Sequence, residues 1–176
     1  MRQGVRPNGW QRAFRVWQCD NMSTSFLDAA TDILGPRGLT RDADLMEPWL
    51  TDWRGRYTGR ALALASPANT QEVASLVRLC AQHRVPIVPQ GGNSGMSGGA
   101  TPDESGEALL LSLRRMSAFR HWNEEARQVV CEAGVVLQTL HDAAGERGLR
   151  FPLTLGGRGS ATIGGGPGSD SSSTAG

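Results

Sequence analysis

Gly91, Gly92, Gly95, Gly98 and Gly99 fall within nine positions that also hold Asn93, Ser94, Met96 and Ser97, directly after Val85-Pro86-Ile87-Val88-Pro89-Gln90. Backbone with so little side-chain bulk can reach positive φ and turn several N–H groups toward one point, forming a concave anion site without a cationic side chain. A phosphate suits such a site, with Asn93 and Ser94 as short polar donors. The chain contains no lysine, so it lacks the Gly-Lys-Ser/Thr ending that a nucleotide-hydrolysing loop needs, which argues against ATP or GTP hydrolysis. The spacing Gly92-x-x-Gly95-x-x-Gly98, followed by loop residues Ala100 to Gly106, also departs from the dinucleotide fingerprint, and Gly157-Arg158-Gly159-Ser160-Ala161-Thr162 fails that pattern at its last position. By composition alone a flexible connector is the simpler reading of the loop.

The elements around the loop are legible. Asn69-Thr70-Gln71-Glu72 has the form of a capping box, with Asn69 accepting from first-turn N–H groups and Glu72 reaching back. Val73, Leu76, Val77 and Cys80 then recur at helical spacing, and Pro86 ends the helix near His83. Ala61 to Ala65 before this helix and Ile87-Val88 after it are short apolar runs, so a parallel strand pair with a crossover helix is expected. Ala108 to Leu113 and Gln128 to Glu132 read as further strands, separated by Phe119 to Glu125 with a turn at its end. Val136, Leu137 and Leu140 with the Gly148 stop predict a second helix over 135–147. The fold class is α/β.

Other chemistry finds little support. Cys19, Cys80 and Cys131 are widely spaced and odd in number, which supports neither a disulfide framework nor a zinc ribbon, and Cys80 and Cys131 fall on apolar faces where packing is expected. His83, His121 and His141 lack metal-ligand spacing and read as surface or helix-end residues, and the adjacent His141 and Asp142 point apart on a helix. With 176 residues the chain makes one domain, or a domain with a tail. A net charge of +1 with scattered arginines argues against a nucleic-acid partner, and no apolar run approaches a membrane span. The cysteine usage fits a cytoplasmic location.

Four motifs in order carry a family resemblance: Asp52-Trp53 with Tyr57; Pro67 to Val73; Val88 to Gly95; and Pro152-Leu153 followed by Gly159-Ser160-Ala161-Thr162-Ile163-Gly164-Gly165. From Thr51 to Gly165 the chain resembles the first part of the flavin-binding domain of the FAD-linked oxidase family, of the vanillyl-alcohol-oxidase or PCMH type. Within that family it is most similar to flavoprotein dehydrogenases of D-2-hydroxy acids, which act on 2-hydroxyglutarate, lactate or glycolate. The resemblance implies a PCMH-type α/β (α+β) domain, incomplete at its C-terminus. It also implies FAD held non-covalently, because Gln90 to Gly99 contain neither His nor Cys. Pro89 and Gly91, Gly92, Asn93, Ser94, Gly95 and Met96 would hold the diphosphate. Pro152, Gly156, Gly159, Ser160, Ile163, Gly164 and Gly165 would line the flavin side. The implied partners are FAD, a small 2-hydroxy-acid substrate and an electron-acceptor protein or quinone, with no catalytic or metal-binding residue carried by this part.

The resemblance divides the chain into an extension over 1–21, a helical lead-in over 22–58, the partial FAD domain over 59–165 and a Gly/Ser tail over 166–176. The first stretch carries Arg2, Arg6, Arg12 and Arg15 against Asp20 alone, without a secretory apolar core. It reads either as an Arg-rich presequence or as residues upstream of a start at Met22. The tail replaces the family's continuation, and the abrupt composition change predicts a truncated or frameshifted reading frame. Apolar surface at Leu109 to Leu111 and Val135 to Leu137 would then stay uncovered. The competing reading is a non-catalytic remnant or small α/β binding module without flavin.

Overall fold

A computed structural model describes residues 24–154 and 156–165; the expectations for 1–23 and 166–176 lie outside the described residues. In chain order the elements are helix α1 (24–34), β1 (Leu39–Thr40), α2 (Ala43–Leu50), β2 (Ala63–Ala65), α3 (Thr70–His83), β3 (Ile87–Gln90), β4 (Leu109–Ser112), β5 (Phe119–Asn123), β6 (Gln128–Cys131) and α4 (Leu137–Gly145). A 3₁₀ turn at Ile163–Gly165 follows. Four strands form one sheet in the order β1-β2-β4-β3, and β5 and β6 form a separate antiparallel pair.

The crossover unit differs from expectation in one respect. β2 and β3 run parallel to each other across α3, but β4 lies between them, with Leu109 opposite both Ala63 and Ile87. The reason is burial on both faces. Ala63, Ala65, Leu109 and Leu111 face α1 and α3, meeting Phe26, Leu27, Leu76 and Cys80, while Leu64 and Leu110 face Met46 of α2. A strand covered on both faces needs consecutive apolar residues, and Leu109-Leu110-Leu111 supplies them at the sheet's centre. Each such leucine contributes about 1.5–3 kcal/mol by burial. The expectation of uncovered apolar surface is therefore corrected, since Leu109 to Leu111, Val135 and Leu137 are all buried.

Helix α3 starts as expected, with a variation in its cap. Asn69 Oδ1 accepts from the Glu72 N–H at 2.9 Å, while the Glu72 carboxylate accepts from the Ala68 N–H at 2.7 Å, one residue earlier than in the usual box. The helix ends at His83 on a left-handed Arg84 with φ 56°. Leu79 packs on the core and Val77 is exposed, so the apolar stripe is rotated from the expected one. Phe119 to Asn123, expected only to separate two strands, is itself a strand, registered against β6 with a shift between Phe119 and His121. Arg147 of the turn after α4 stacks over Trp122, 4.3 Å from its ring centre, fixing this hairpin to the helix.

Candidate functional site

The first glycine loop leaves the sheet at the end of β3, where the side chain of Gln90 is buried. Its amide donates to Trp49 O at 2.9 Å and Ala100 O at 2.8 Å, tying the two ends of the loop to α2. Asn93 adopts a left-handed conformation with φ 52° and donates to Thr51 O at 2.8 Å. Gly98, with φ 72°, lies against the Tyr57 ring. Three tethers make this segment a positioned structure rather than a flexible connector.

The tethers lead back to a second small device. Asp52 Oδ1 accepts from the N–H groups of Arg56 and Tyr57, each at 2.6 Å, and Oδ2 from that of Arg54 at 3.1 Å. The Tyr57 N–H is the main reason the carboxyl is held below the usual carboxylate range; the other two N–H groups and the Arg56 charge add to it, against an upward push from burial. Asp52 therefore shapes the 52–57 turn and has few lone pairs left for a ligand.

The second glycine segment is placed by helix α4. Val136 gives that helix no side-chain cap, so its first N–H groups find backbone carbonyls instead: Leu137 donates to Ala161 O at 2.9 Å and Gln138 to Arg158 O at 3.0 Å. Ile163 and Gly164 donate in turn to Val135 O and Ala133 O. Val136 is extended and bridges antiparallel to Thr162, and Val135 O accepts from Ile163, so the helix begins at Leu137 and not at Val135. His141, expected at a surface or helix end, lies inside α4, where Nε2 meets Leu153 O at 2.8 Å and the ring edges onto Phe151. It anchors the stretch that leads into the segment.

The two segments meet in a seam. A Cβ on Gly92 would overlap the Ser160 carbonyl, and one on Gly91 would overlap Thr162 Oγ1. Gly164 is closed in the same way by Ala133, and Gly157 sits against Ser94. These glycines serve close backbone approach, and none has positive φ; in the loop from Gly91 to Gly99 that conformation falls on Asn93 and Gly98. Gly95, Gly99, Gly156 and Gly159 have nothing within 4 Å of where a Cβ would stand.

Two cavities flank the seam. The smaller, about 170 Å³, is lined by Pro89, Gln90, Gly91, Thr162, Gly164 and Gly165 among others, and Gln90 Oε1 is buried without a hydrogen-bond partner among the described residues. The larger, about 590 Å³, is bounded by Trp49, Asp52, Gly92, Asn93, Arg114 and Ser160 with neighbouring residues. The backbone N–H groups of residues 92–97 donate to no described residue. Open N–H donors on a tethered loop fit an anion, and the orphaned Gln90 acceptor fits a hydroxyl or N–H of the same organic cofactor, not its charge. The structure thus gathers half of the expected residues around the two cavities, while Ser94, Gly95, Met96, Pro152, Gly156, Gly159 and Ile163 line neither.

Gln90, Trp49 and Arg114 were not anticipated as site residues. A glutamine closing an apolar strand was a readable signal for the first, because a buried amide needs partners. The others come into place only through tertiary packing. Cys80 is buried in the core, where desolvation pushes its thiol up to about 11. Cys131 is half-buried, His83 is in the last turn of α3 and His121 is exposed on β5. No metal-binding group of three or more His, Cys, Asp or Glu occurs among the described residues, and no described helix is long and apolar enough to cross a membrane.

Comparison with known proteins agrees with this geometry. The chain is 36% identical over 136 residues to the mitochondrial D-2-hydroxyglutarate dehydrogenase of Arabidopsis thaliana, covering 76% of this chain and 24% of that protein. It is 38% identical over 139 residues to the mitochondrial D-2-hydroxyglutarate dehydrogenase of Bos taurus, covering 78% and 25%. It is 41% identical over 126 residues to the D-2-hydroxyglutarate dehydrogenase of Xanthomonas citri pv. viticola, covering 72% and 26%. The chain therefore spans about a quarter of the length of these relatives. In fold it matches alkyldihydroxyacetonephosphate synthase with a TM-score of 0.72 at 20% identity, over 81% of this chain and 28% of that one. It matches p-cresol methylhydroxylase with a TM-score of 0.64 at 19% identity, over 73% and 25%. These matches show a PCMH-type fold. The FAD binding domain model matches residues 61–175, ten residues beyond the end of the resemblance read from motifs, and the chain belongs to that FAD-binding family.

Proposed function

We propose that this chain is the FAD-holding part of a flavoprotein that oxidises a D-2-hydroxy acid, of the 2-hydroxyglutarate, lactate or glycolate class, to the 2-oxo acid. The observation that carries the reading is the seam between two tethered glycine segments, with the N–H groups of 92–97 beside it donating to no described residue. Those donors, with Asn93 and Ser94, would hold the diphosphate, and Gly156 to Gly165 with Pro89 and Pro152 would bound the remainder of the cofactor. When bound, FAD supplies hydride acceptance from the substrate carbon. The chain's own contribution is to bind and orient: the Gln90 and Asn93 tethers fix the loop, and His141 fixes the entry to the second segment. The names of the relatives support the substrate class, and an acceptor protein or quinone would take the electrons.

Attachment is non-covalent in this reading. The loop carries no His or Cys, Cys80 is in the core, and the His141 ring is committed to Leu153 O. A cytoplasmic location is part of the proposal, and a mitochondrial one is the competing reading, favoured by the names of the Arabidopsis thaliana and Bos taurus relatives. The test is the visible spectrum of the purified chain after mixing with FAD and gel filtration, followed by acid precipitation. A retained flavin band that passes wholly to the supernatant is expected. Colourless protein would favour an α/β module without flavin, and a yellow pellet would overturn non-covalent attachment.

A further inference from the structure

The larger chamber contains a charge that the glycine loop was not expected to need. Arg114 follows β4, lines the chamber, and makes no side-chain hydrogen bond or ion pair among the described residues. Its guanidinium carbon stands 4.8 Å from the centre of the Trp49 ring, on which a planar cation stacks favourably. The other charged residue of the lining, Asp52, has its carboxylate occupied by three N–H groups. Arg114 is therefore the uncommitted charge of this wall. Gly92 and Asn93 bound the same chamber, and their N–H groups also donate to no described residue.

We infer that Arg114, held over the Trp49 ring, is the residue that reads the diphosphate of the cofactor, acting together with the open N–H groups of the first glycine loop. The inference rests on the proposed FAD function and adds to it a side chain of this chain's own. A guanidinium offers several donors in a fixed fork that matches phosphate oxygens, and stacking on Trp49 lowers the rotamer freedom lost on binding. Arg115 provides an internal control. It has the same charge one position on, but donates to Ser66 O at 2.7 Å and does not line the chamber.

The test is titration of the whole chain with FAD, followed by flavin fluorescence, for the unaltered protein, Arg114→Met and Arg115→Met. Methionine keeps an apolar stem over Trp49 while removing the charge. Arg114→Met should weaken FAD about tenfold or more, the loss of one charge-assisted contact. Arg115→Met should change it less than about twofold. Raising salt should weaken FAD binding more steeply in the unaltered chain than in Arg114→Met, a difference that a merely structural role would not produce. Equal affinities for the unaltered chain and Arg114→Met, equal salt slopes, or equal losses in the two variants would each overturn the inference. Failure of the unaltered chain to bind FAD would instead overturn the function on which it rests.

Discussion

At Gly91 and Gly92 the first glycine loop has neighbours where a Cβ would stand, the side chain of Thr162 and the carbonyl of Ser160; at Gly95 and Gly99 that space is empty. The second segment repeats the contrast, with Gly164 closed by Ala133 and Gly156 and Gly159 open. In the sequence these glycines look alike. The structure separates them into a seam, where absent side chains let two backbones meet, and an open rim, where they leave backbone accessible to a ligand. A substitution at the seam should damage assembly and ligand binding together, whereas one at the rim should affect the ligand alone.

Gly92→Val breaks the comparison most sharply. The new side chain must displace the Ser160 carbonyl, so thermal unfolding should show a loss of about 1–3 kcal/mol or more and flavin retention after gel filtration should collapse. Full retention with an unchanged melt would mean that the seam yields freely.

Asp52→Asn weakens the 52–57 turn, from which Tyr57 reaches Gly98 and near which Thr51 accepts from Asn93. The folded carboxyl titrates below the usual aspartate range, so its stabilisation is complete above the unfolded pKa and is lost as pH falls through the folded one. Urea unfolding between pH 6 and pH 3 should accordingly show a smaller acid-dependent loss for Asp52→Asn than for the unaltered chain. Identical slopes would remove Asp52 from the account.

Gly95→Ala probes the rim. Its Cβ meets nothing and its φ is not positive, so stability should stay within about 0.5 kcal/mol while FAD affinity falls. Smallest in effect on the site is Cys80→Ala, a core change of about 1 kcal/mol that should leave flavin binding intact. In the unaltered chain, the same burial that pushes this thiol up to about 11 should keep it unreactive toward an alkylating reagent at pH 8, read by mass spectrometry.

Local signals were the most legible. The Asn69–Glu72 cap, the stop at His83 and the run Leu109 to Leu111 each act over a few residues, and the elements they predict are present. Strand order was not readable, because α3 dictates a parallel crossover but not which strand fills the middle of the sheet. β5 was missed since Arg120 and His121 interrupt its alternation, and its pairing with β6 is settled by contacts between strands. At the site, the glycine pattern carried the expectation of an anion cradle, which belongs to the proposal. Its use of Gly91 and Gly92 for a seam with Thr162 and Ser160 joins residues about seventy positions apart, and no local pattern encodes that.

The most direct test of the central claim, that the two glycine segments jointly hold FAD through open backbone donors, is amide hydrogen exchange of the whole chain with and without FAD. Exchange at residues 92–97 and 156–160 should slow on adding FAD, with little change in β5 and β6. Unchanged exchange in either glycine segment under saturating FAD, or protection confined to the β5–β6 hairpin, would contradict it.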